Sequence, residues 1–492
     1  MMNRREFIKL TTASAMTLAL SHCSYEKERD KLKKEAPKDA PNVLFIVLDD
    51  LNDWIGCMGG HPDVKTPHLD RLAQRGVLFT NAHCTASLCN PSRVSVLTGL
   101  QPSTTGVYDN SQPFRLARPE AVTLPQHFMA HGYCVSGAGK IFHISRPDPD
   151  SWNDPGSWHK YFPSKLKEIK SNDPALKIPL SDKVSTDSYH AWGAVDLEDD
   201  EIVDGIFTNW AVEVLGQKHD NPFFLGLGLI RPHLPWYVPR KYFEIYSPDK
   251  VILPNVNEGD LDDVPPICRK IVNSEVFKKI IKSNQWKLAV SGYLASISFA
   301  DAMIGKILDA LDASPYAENT MIVLWSDHGY HLGEKLHWGK FTLWEEATNV
   351  PLIFVAPGIT ELGGRCTRSV SLIDIYPTLI DLCGLAPRDE LEGRSLLPLL
   401  KDPSSAWNYP AKTTIPRPRS HSIRSERWRY SRYNDGTEEL YDHEVDELEW
   451  TNLASRPEYA VVKEELAQWL PKVNAPGAPT KSSKSIFRIF QN

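Results

Sequence analysis

The sequence predicts an α/β protein with a large central sheet flanked by helices, followed by a smaller C-terminal α+β domain. Three observations carry this. From Pro41 onward, short apolar runs alternate with amphipathic stretches, as strands and helices layered around one sheet do. Residues 43–48 form a continuous, β-branched-rich apolar run, the composition of a strand buried on both faces. After Pro403 the texture turns to Ser, Arg and Tyr, with strand-like pieces at 428–433 and 439–441, which predicts a short antiparallel sheet.

At the N-terminus, Arg4 and Arg5 precede Phe7, Ile8 and Lys9, and a modest apolar stretch runs to Leu20. Residues 1–23 therefore read as an export signal resembling the twin-arginine type, which implies a bacterial, exported product. Leu20-Ser21-His22-Cys23 resembles a lipoprotein cleavage box, with His22 where a small residue is usual. A plain cut and a lipid anchor on Cys23 both stay open, so a periplasmic, cell-surface or secreted location is expected, and any membrane contact only through that anchor. Residues 24–40, dense in Lys, Glu and Asp, read as a charged tether.

The main α/β domain is expected over 41–403. Thr66 and Pro67 predict the N-cap and first position of a helix ending near Gly76. Residues 223–229, 321–325 and 351–355 predict further central strands. A long helix, broken once or continuous, is predicted over 286–311, and another over 374–382 with Gly384 as its stop. Residues 145–204, rich in Pro, Asp, Ser and Trp, are too long for a simple connection and predict a functional insertion. The C-terminal subdomain is expected over 404–492, with a mobile tail from Ala475 to about Lys484.

The chain has 492 residues, 41% hydrophobic and 24% charged, an ordinary globular balance. Its formal charge of −7 offers no basic field, so a nucleic-acid partner is not expected. No apolar run reaches the roughly 18–20 residues that a membrane span needs. The 8 cysteines, including Cys84 and Cys89, show neither paired CxxC nor zinc-finger spacing.

Asp49 and Asp50 directly follow the first strand. At the carboxyl end of a central strand, paired carboxylates sit where an open α/β sheet presents a ligand, and their oxygens suit Ca²⁺ or Mg²⁺; a solvated turn would look the same. Cys89-Asn90-Pro91-Ser92-Arg93, followed by Leu97-Thr98-Gly99, puts Cys89 at a helix N-terminus, where free N–H groups favour an anion. Lys140 and His143, His233, and then Asp327, His328 and Lys340 follow further strand-like runs. Singly each reads as a structural residue; together they arrive at one sheet edge.

These motifs resemble the type I sulfatases, in which the Cys of Cys-X-Pro-Ser-Arg is oxidised to formylglycine. Asp49-Asp50-Leu51-Asn52, Gly139-Lys140-Ile141-Phe142-His143, Arg231-Pro232-His233-Leu234-Pro235 and Ser326-Asp327-His328-Gly329 are similar to the iduronate-2-sulfatase branch. The likeness runs over about residues 40–400 and weakly through Glu439-Leu440-Tyr441-Asp442. It implies an alkaline phosphatase-like fold with a mixed, mostly parallel sheet. It also implies one divalent cation, favouring Ca²⁺ over Mg²⁺, held by Asp49, Asp50, Asp327, His328 and the modified Cys89. Asn52 and His331 stand near these motifs without entering the set.

The resemblance further implies the reaction. Hydrated formylglycine offers a geminal diol, one hydroxyl of which attacks sulfur; the second lets the intermediate collapse and expel sulfate, an exit a serine would lack. His233 is expected to protonate the leaving alcohol, a role worth about 10²–10⁴ in rate, with Lys340 assisting through its charge. His143 is expected to take the diol proton, while Arg93 and Lys140 hold the diol and sulfate oxygens. The iduronate-like markers imply a sulfated oligo- or polysaccharide substrate, glycosaminoglycan or algal, with a uronate 2-O-sulfate-like sugar. Cys89 would need a formylglycine-generating or anaerobic sulfatase-maturating enzyme as partner. Trp152, Trp158, His159 and Tyr161 in the insertion are candidates for stacking on a sugar, or equally for pinning a long loop. Two other functions stay open on sequence: a phosphonate or phosphate diester hydrolase of the same fold, and a non-catalytic surface glycan-binding protein.

Overall fold

The structure, a computed structural model, describes residues 35–37, 39–144, 153–164, 190–416 and 419–480. The export signal, Cys23, the tether as far as residue 34, and Trp152 lie outside the described residues.

The central sheet has eight strands: β1 (Asn42–Leu48), β2 (Val77–Phe79), β3 (Cys134–Gly139), β4 (Lys160–Phe162), β5 (Phe223–Gly228), β6 (Thr320–Ser326), β7 (Leu352–Val355) and β8 (Gly364–Cys366). Their spatial order is β8-β2-β7-β6-β1-β5-β3-β4. Neighbours pair in parallel except β7, which runs antiparallel to both β6 and β2. The mixed, mostly parallel architecture is thus the expected one.

The period of two divides β1 between two cores. Leu44, Ile46 and Leu48 enter one hydrophobic cluster, and Val43, Phe45 and Val47 the other. Helices cover both faces: α1 (Pro67–Gln74), α3 (Val203–Leu215) and α4 (Trp286–Asp312) lie on the first, and α2 (Cys89–Thr98) and α5 (Ile375–Leu382) on the second. α4 is one unbroken 27-residue helix. It is the described helix long and apolar enough to cross a bilayer, but its side chains fill the core beneath the sheet. Gly99 and Gly384 adopt positive φ, +70° and +61°, where α2 and α5 stop, as left-handed C-terminal caps do.

Thr66 occupies the N-cap position of α1, yet its hydroxyl makes no capping bond. It accepts instead from Gly56 N at 2.8 Å, and the Asp301 carboxylate on α4 takes the amides of His68 and Leu69. The C-terminal sheet is antiparallel, β9 (Ala411–Pro416), β10 (Arg419–Arg424), β11 (Trp428–Arg432) and β12 (Glu438–Asp442) in sequential order.

In the insertion the structure decides between the two roles left open for Trp158 and Tyr161. Trp158 and Tyr161 are buried in the core, their ring centroids 4.9 Å apart, and Trp158 Nε1 donates to Asn153 Oδ1 at 3.1 Å. Edge strand β4 folds them inward, so they pin the loop and offer no face to a sugar. His159 is exposed, with its Nδ1 accepting from Val135 N at 3.0 Å.

Candidate active site

Four adjacent parallel strands, β6, β1, β5 and β3, end at one edge of the sheet. Asp327 and His328 follow β6, Asp49 and Asp50 follow β1, His233 lies five residues past β5, and Lys140 follows β3. The close approach of β3 and β5 needs glycine: a Cβ on Gly228 would lie 2.2 Å from the Lys140 carbonyl carbon. Cys89 opens α2 after the extended Leu88, so its side chain meets this edge with the helix amides behind it. Every described cysteine is a free thiol, Cys84 and Cys89 included.

The thiol of Cys89 stands where the hydroxyls of hydrated formylglycine would be. Sγ lies 3.3 Å from His328 Nε2 and 3.3 Å from Lys340 Nζ. Lys340 Nζ also donates to Asp50 Oδ1 at 2.6 Å, and Lys140 Nζ donates to Asp49 Oδ2. Arg93 Nε donates to Asp327 Oδ2 at 2.7 Å, and its Nη2 pairs with Asp49 Oδ1 at 3.5 Å. His233 Nε2 faces Asp50 Oδ2 at 3.9 Å, because its Nδ1 donates to the Leu234 carbonyl at 2.5 Å. His143 is buried, and its Nδ1 makes no hydrogen bond. The catalytic and metal-ligand candidates therefore converge on one buried edge, whereas Asn52 and His331 turn to structural work. Asn52 Nδ2 bonds the Tyr330 carbonyl at 3.1 Å, and His331 Nε2 bonds Thr342 Oγ1 at 2.8 Å.

A cation fits here on the chemistry of the donors. Ligand atoms of Asp49, Cys89, Asp327 and His328 lie within 4.8 Å of one another, as do those of Asp49, Asp50, Cys89 and His233. Asp49 Oδ1 and Asp50 Oδ2 are buried and accept no hydrogen bond, an arrangement costly without a positive partner. His328 Nδ1 donates to the Gly329 carbonyl at 3.0 Å, which fixes the tautomer and leaves Nε2 as the ligand nitrogen. Asp50 has φ of +65°, a strained conformation at a functional position.

The electrostatics follow from burial and mixed charge. Burial alone would push the Cys89 thiol up, but Lys140 and Lys340 overcome it and hold it at about 5. Burial likewise opposes ionisation of Asp49, yet Lys140, His233 and Arg93 keep its carboxyl well below the usual range. Asp327 is lifted to about 6, by burial first and then by Asp49, against Arg93. Burial lowers His233 to about 4, against Asp50 and Asp49. Burial also depresses His143, helped by Lys140.

Sequence reasoning missed the supports. Asp204 on α3 is buried, and its carboxylate accepts Ile230 N and Arg231 N at 2.8 Å each, shaping the turn that presents His233. Ser92 Oγ donates to the Asp327 carbonyl at 2.6 Å. Ser92 lies inside the recognised motif; Asp204 carries no local signal.

Comparison with known proteins agrees with this geometry. Residues 41–385 match the Sulfatase family, and residues 333–475 match the family described as N-sulphoglucosamine sulphohydrolase, C-terminal. A "Sulfatase" of Formosa agariphila is 38% identical over 457 residues, covering 91% of this chain and 89% of that protein. The iduronate 2-sulfatase of Homo sapiens is 32% identical over 396 residues, covering 70% of each. The crystal structure of a phosphonate monoester hydrolase of Agrobacterium radiobacter shares the fold with a TM-score of 0.73 at 24% identity, over 87% of this chain and 94% of that one. Sequence and fold together make this chain a member of the sulfatase family, a sulfuric ester hydrolase.

Proposed function

We propose that the protein, exported from a bacterial cell, removes sulfate from a sulfated sugar of a polysaccharide, with a 2-O-sulfated uronate as the favoured unit. The observation that carries this is the pair of buried carboxylate oxygens that accept no hydrogen bond, Asp49 Oδ1 and Asp50 Oδ2, in the cluster that gathers Cys89, Arg93, Lys140 and Lys340. The uronate preference is supported by the name of the iduronate 2-sulfatase relative and by the motifs shared with that branch. Asp49, Asp50, Asp327 and His328, with the modified residue 89, would hold Ca²⁺, which supplies Lewis acidity toward the nucleophile and charge against the sulfate oxygens. Conversion of Cys89 to formylglycine requires a maturating enzyme in the host.

Each remaining step belongs to a side chain of the chain itself. Lys140 and Lys340 both bring ammonium charge to bear on residue 89, which favours an anionic ester there despite the protein's net charge of −7. Arg93 braces Asp327 and Asp49 at fixed spacing. His233 delivers its proton from Nε2 to the departing sugar oxygen, and the negative charge of a bound ester favours its protonated ring. His143, held neutral by burial, accepts the proton from residue 89 when sulfate is expelled.

The deciding experiment is peptide mass spectrometry across residue 89 of protein made in its native host, with desulfation assays on 2-O-sulfated uronate oligosaccharides. An aldehyde at position 89 and release of sulfate are expected. An aryl phosphonate turned over faster than an aryl sulfate would favour the phosphonate hydrolase whose fold the chain shares. Glycan binding with an intact Cys89 thiol and no sulfate release would favour a silent binding protein.

A further inference from the structure

We propose that Arg429, in the C-terminal sheet, is a positioning residue for Lys340, clamping the loop of that lysine against the loop that leads into Cys89. The inference rests on the role given to Lys340 above.

Arg429 on β11 is fully buried, and besides Ser422 Oγ at 3.2 Å and Glu449 its guanidinium bonds one stretch of chain. Nη1 donates to the Leu343 carbonyl at 2.9 Å, and Nη2 donates to Thr348 Oγ1 at 2.9 Å and to the Glu345 carboxylate. Nε donates to Glu449 Oε1 at 2.5 Å, and Glu449 Oε2 accepts the backbone N–H of Glu345 at 2.9 Å. Residues 343–348 are thus gripped at three points from the C-terminal subdomain. Glu345, His443 and Glu449 place ligand atoms within 4.8 Å of one another, which alone would read as a second cation site. The Arg429 guanidinium already pairs with both carboxylates, so the cluster is a clamp.

The same sheet grips the other loop. On β9, Thr413 Oγ1 donates to the Cys84 carbonyl at 2.6 Å, and Thr414 N donates to the Thr85 carbonyl at 2.8 Å. The two loops are then stitched to each other: Phe341 N donates to the Ser87 carbonyl at 3.2 Å, and Ser87 Oγ donates to the Thr342 carbonyl at 2.7 Å. Lys340 sits at the strained corner of this assembly, between Gly339 with φ of +113° and Phe341 with φ of +77°. A phenylalanine holds a positive φ only where its surroundings enforce it. Its lysine neighbour reaches Cys89 Sγ at 3.3 Å and Asp50 Oδ1 at 2.6 Å, so slack in the loop becomes error at the nucleophile. Only a planar fork spans these acceptors; a lysine keeps the charge and loses the geometry.

The test is a double-mutant cycle of Arg429→Lys with Lys340→Ala in the full, matured enzyme, reading kcat and KM on a sugar sulfate, whose departing alcohol needs the assistance given to Lys340. Hydrogen exchange of the amides of residues 341–348 in the unmodified protein gives a readout independent of turnover. Arg429→Lys is expected to lower kcat about tenfold with KM held within about twofold, to speed exchange in that stretch alone, and to cost less than about twofold once Lys340 is alanine. Equal losses in both backgrounds, or unaltered exchange, would overturn the clamp while leaving the role of Lys340 intact. A Lys340→Ala enzyme with undiminished kcat would overturn both. Should Arg429→Lys not fold, Glu449→Gln takes its place in the cycle, since it keeps the guanidinium and loosens the same loop at Glu345 N, and the same outcomes decide.

Discussion

Arg93 donates through Nε to Asp327 Oδ2 at 2.7 Å, with neither side chain exposed to solvent. The same guanidinium reaches the carbonyls of Leu48 and Ile141 at 3.3 and 3.2 Å and that of Lys140. One residue of α2 therefore fixes the ends of β1, β3 and β6 relative to the nucleophile. Removing it strands buried carboxylates, a loss of about 3–5 kcal/mol. Arg93→Ala is expected to lower the melting temperature clearly and to abolish turnover. Arg93→Lys retains charge without the fork, so it should melt nearer the wild type yet lose about 100-fold or more in kcat. Calorimetry beside kcat on an aryl sulfate checks both.

Cys89 and His233 make a sharper pair. Cys89→Ala removes a small buried side chain at the start of α2, so it should leave the fold intact and no turnover. His233→Ala should lose about 10²–10⁴ in kcat on a sugar sulfate, and much less on an aryl sulfate whose leaving group needs no proton. Equal losses on the two substrates would deny His233 the acid's role.

The orphaned oxygens of Asp49 and Asp50 predict linkage between cation and stability. Ca²⁺ added to chelator-treated protein should raise the melting temperature in a concentration-dependent way, since a ligand bound by the folded state alone stabilises it. Asp50→Asn should weaken that response and the activity together. A melting curve indifferent to Ca²⁺ and Mg²⁺ alike would remove the cation from the site.

How much of this was legible follows from range in sequence. The strand β1 and its carboxylates, the helix start at Cys89, and the residues after β3, β5 and β6 are local signals, and the parallel sheet gathers them at one edge. Supports that act across the chain left no such trace. Arg429 and Asp204 are ordinary charged residues until folding brings Leu343 and Ile230 to them. The two roles of Trp158 and Tyr161 stayed open on sequence because composition cannot say that an insertion returns as an edge strand. The start of α1 was legible in Thr66 and Pro67, but the group that takes its first amides was not, because Asp301 lies 235 positions from Thr66.

That remote cap predicts a pH dependence of stability. Asp301 accepts His68 N at 3.2 Å and Leu69 N at 2.7 Å. Burial lifts its carboxyl from 3.8 to about 7 despite those bonds, with Asp70 adding to the rise and Arg71 opposing it. Unfolded, the group titrates near its ordinary value of about 4. Between about pH 4 and 7 the folded protein keeps a proton that the unfolded chain has released, so stability falls as pH rises through that window and levels off above it, at a slope of no more than about 1.4 kcal/mol per pH unit from this group. Other buried carboxyls such as Asp374, lifted to about 6, tilt the wild-type curve in the same direction. The comparison with Asp301→Asn isolates the one residue. The amide still offers an oxygen to Leu69 N but has no proton to release, so the variant should lose less stability than wild type between pH 4.5 and pH 7. Denaturant midpoints measured across that range should therefore converge or cross as pH rises, and parallel curves would mean that Asp301 is already ionised in the folded protein.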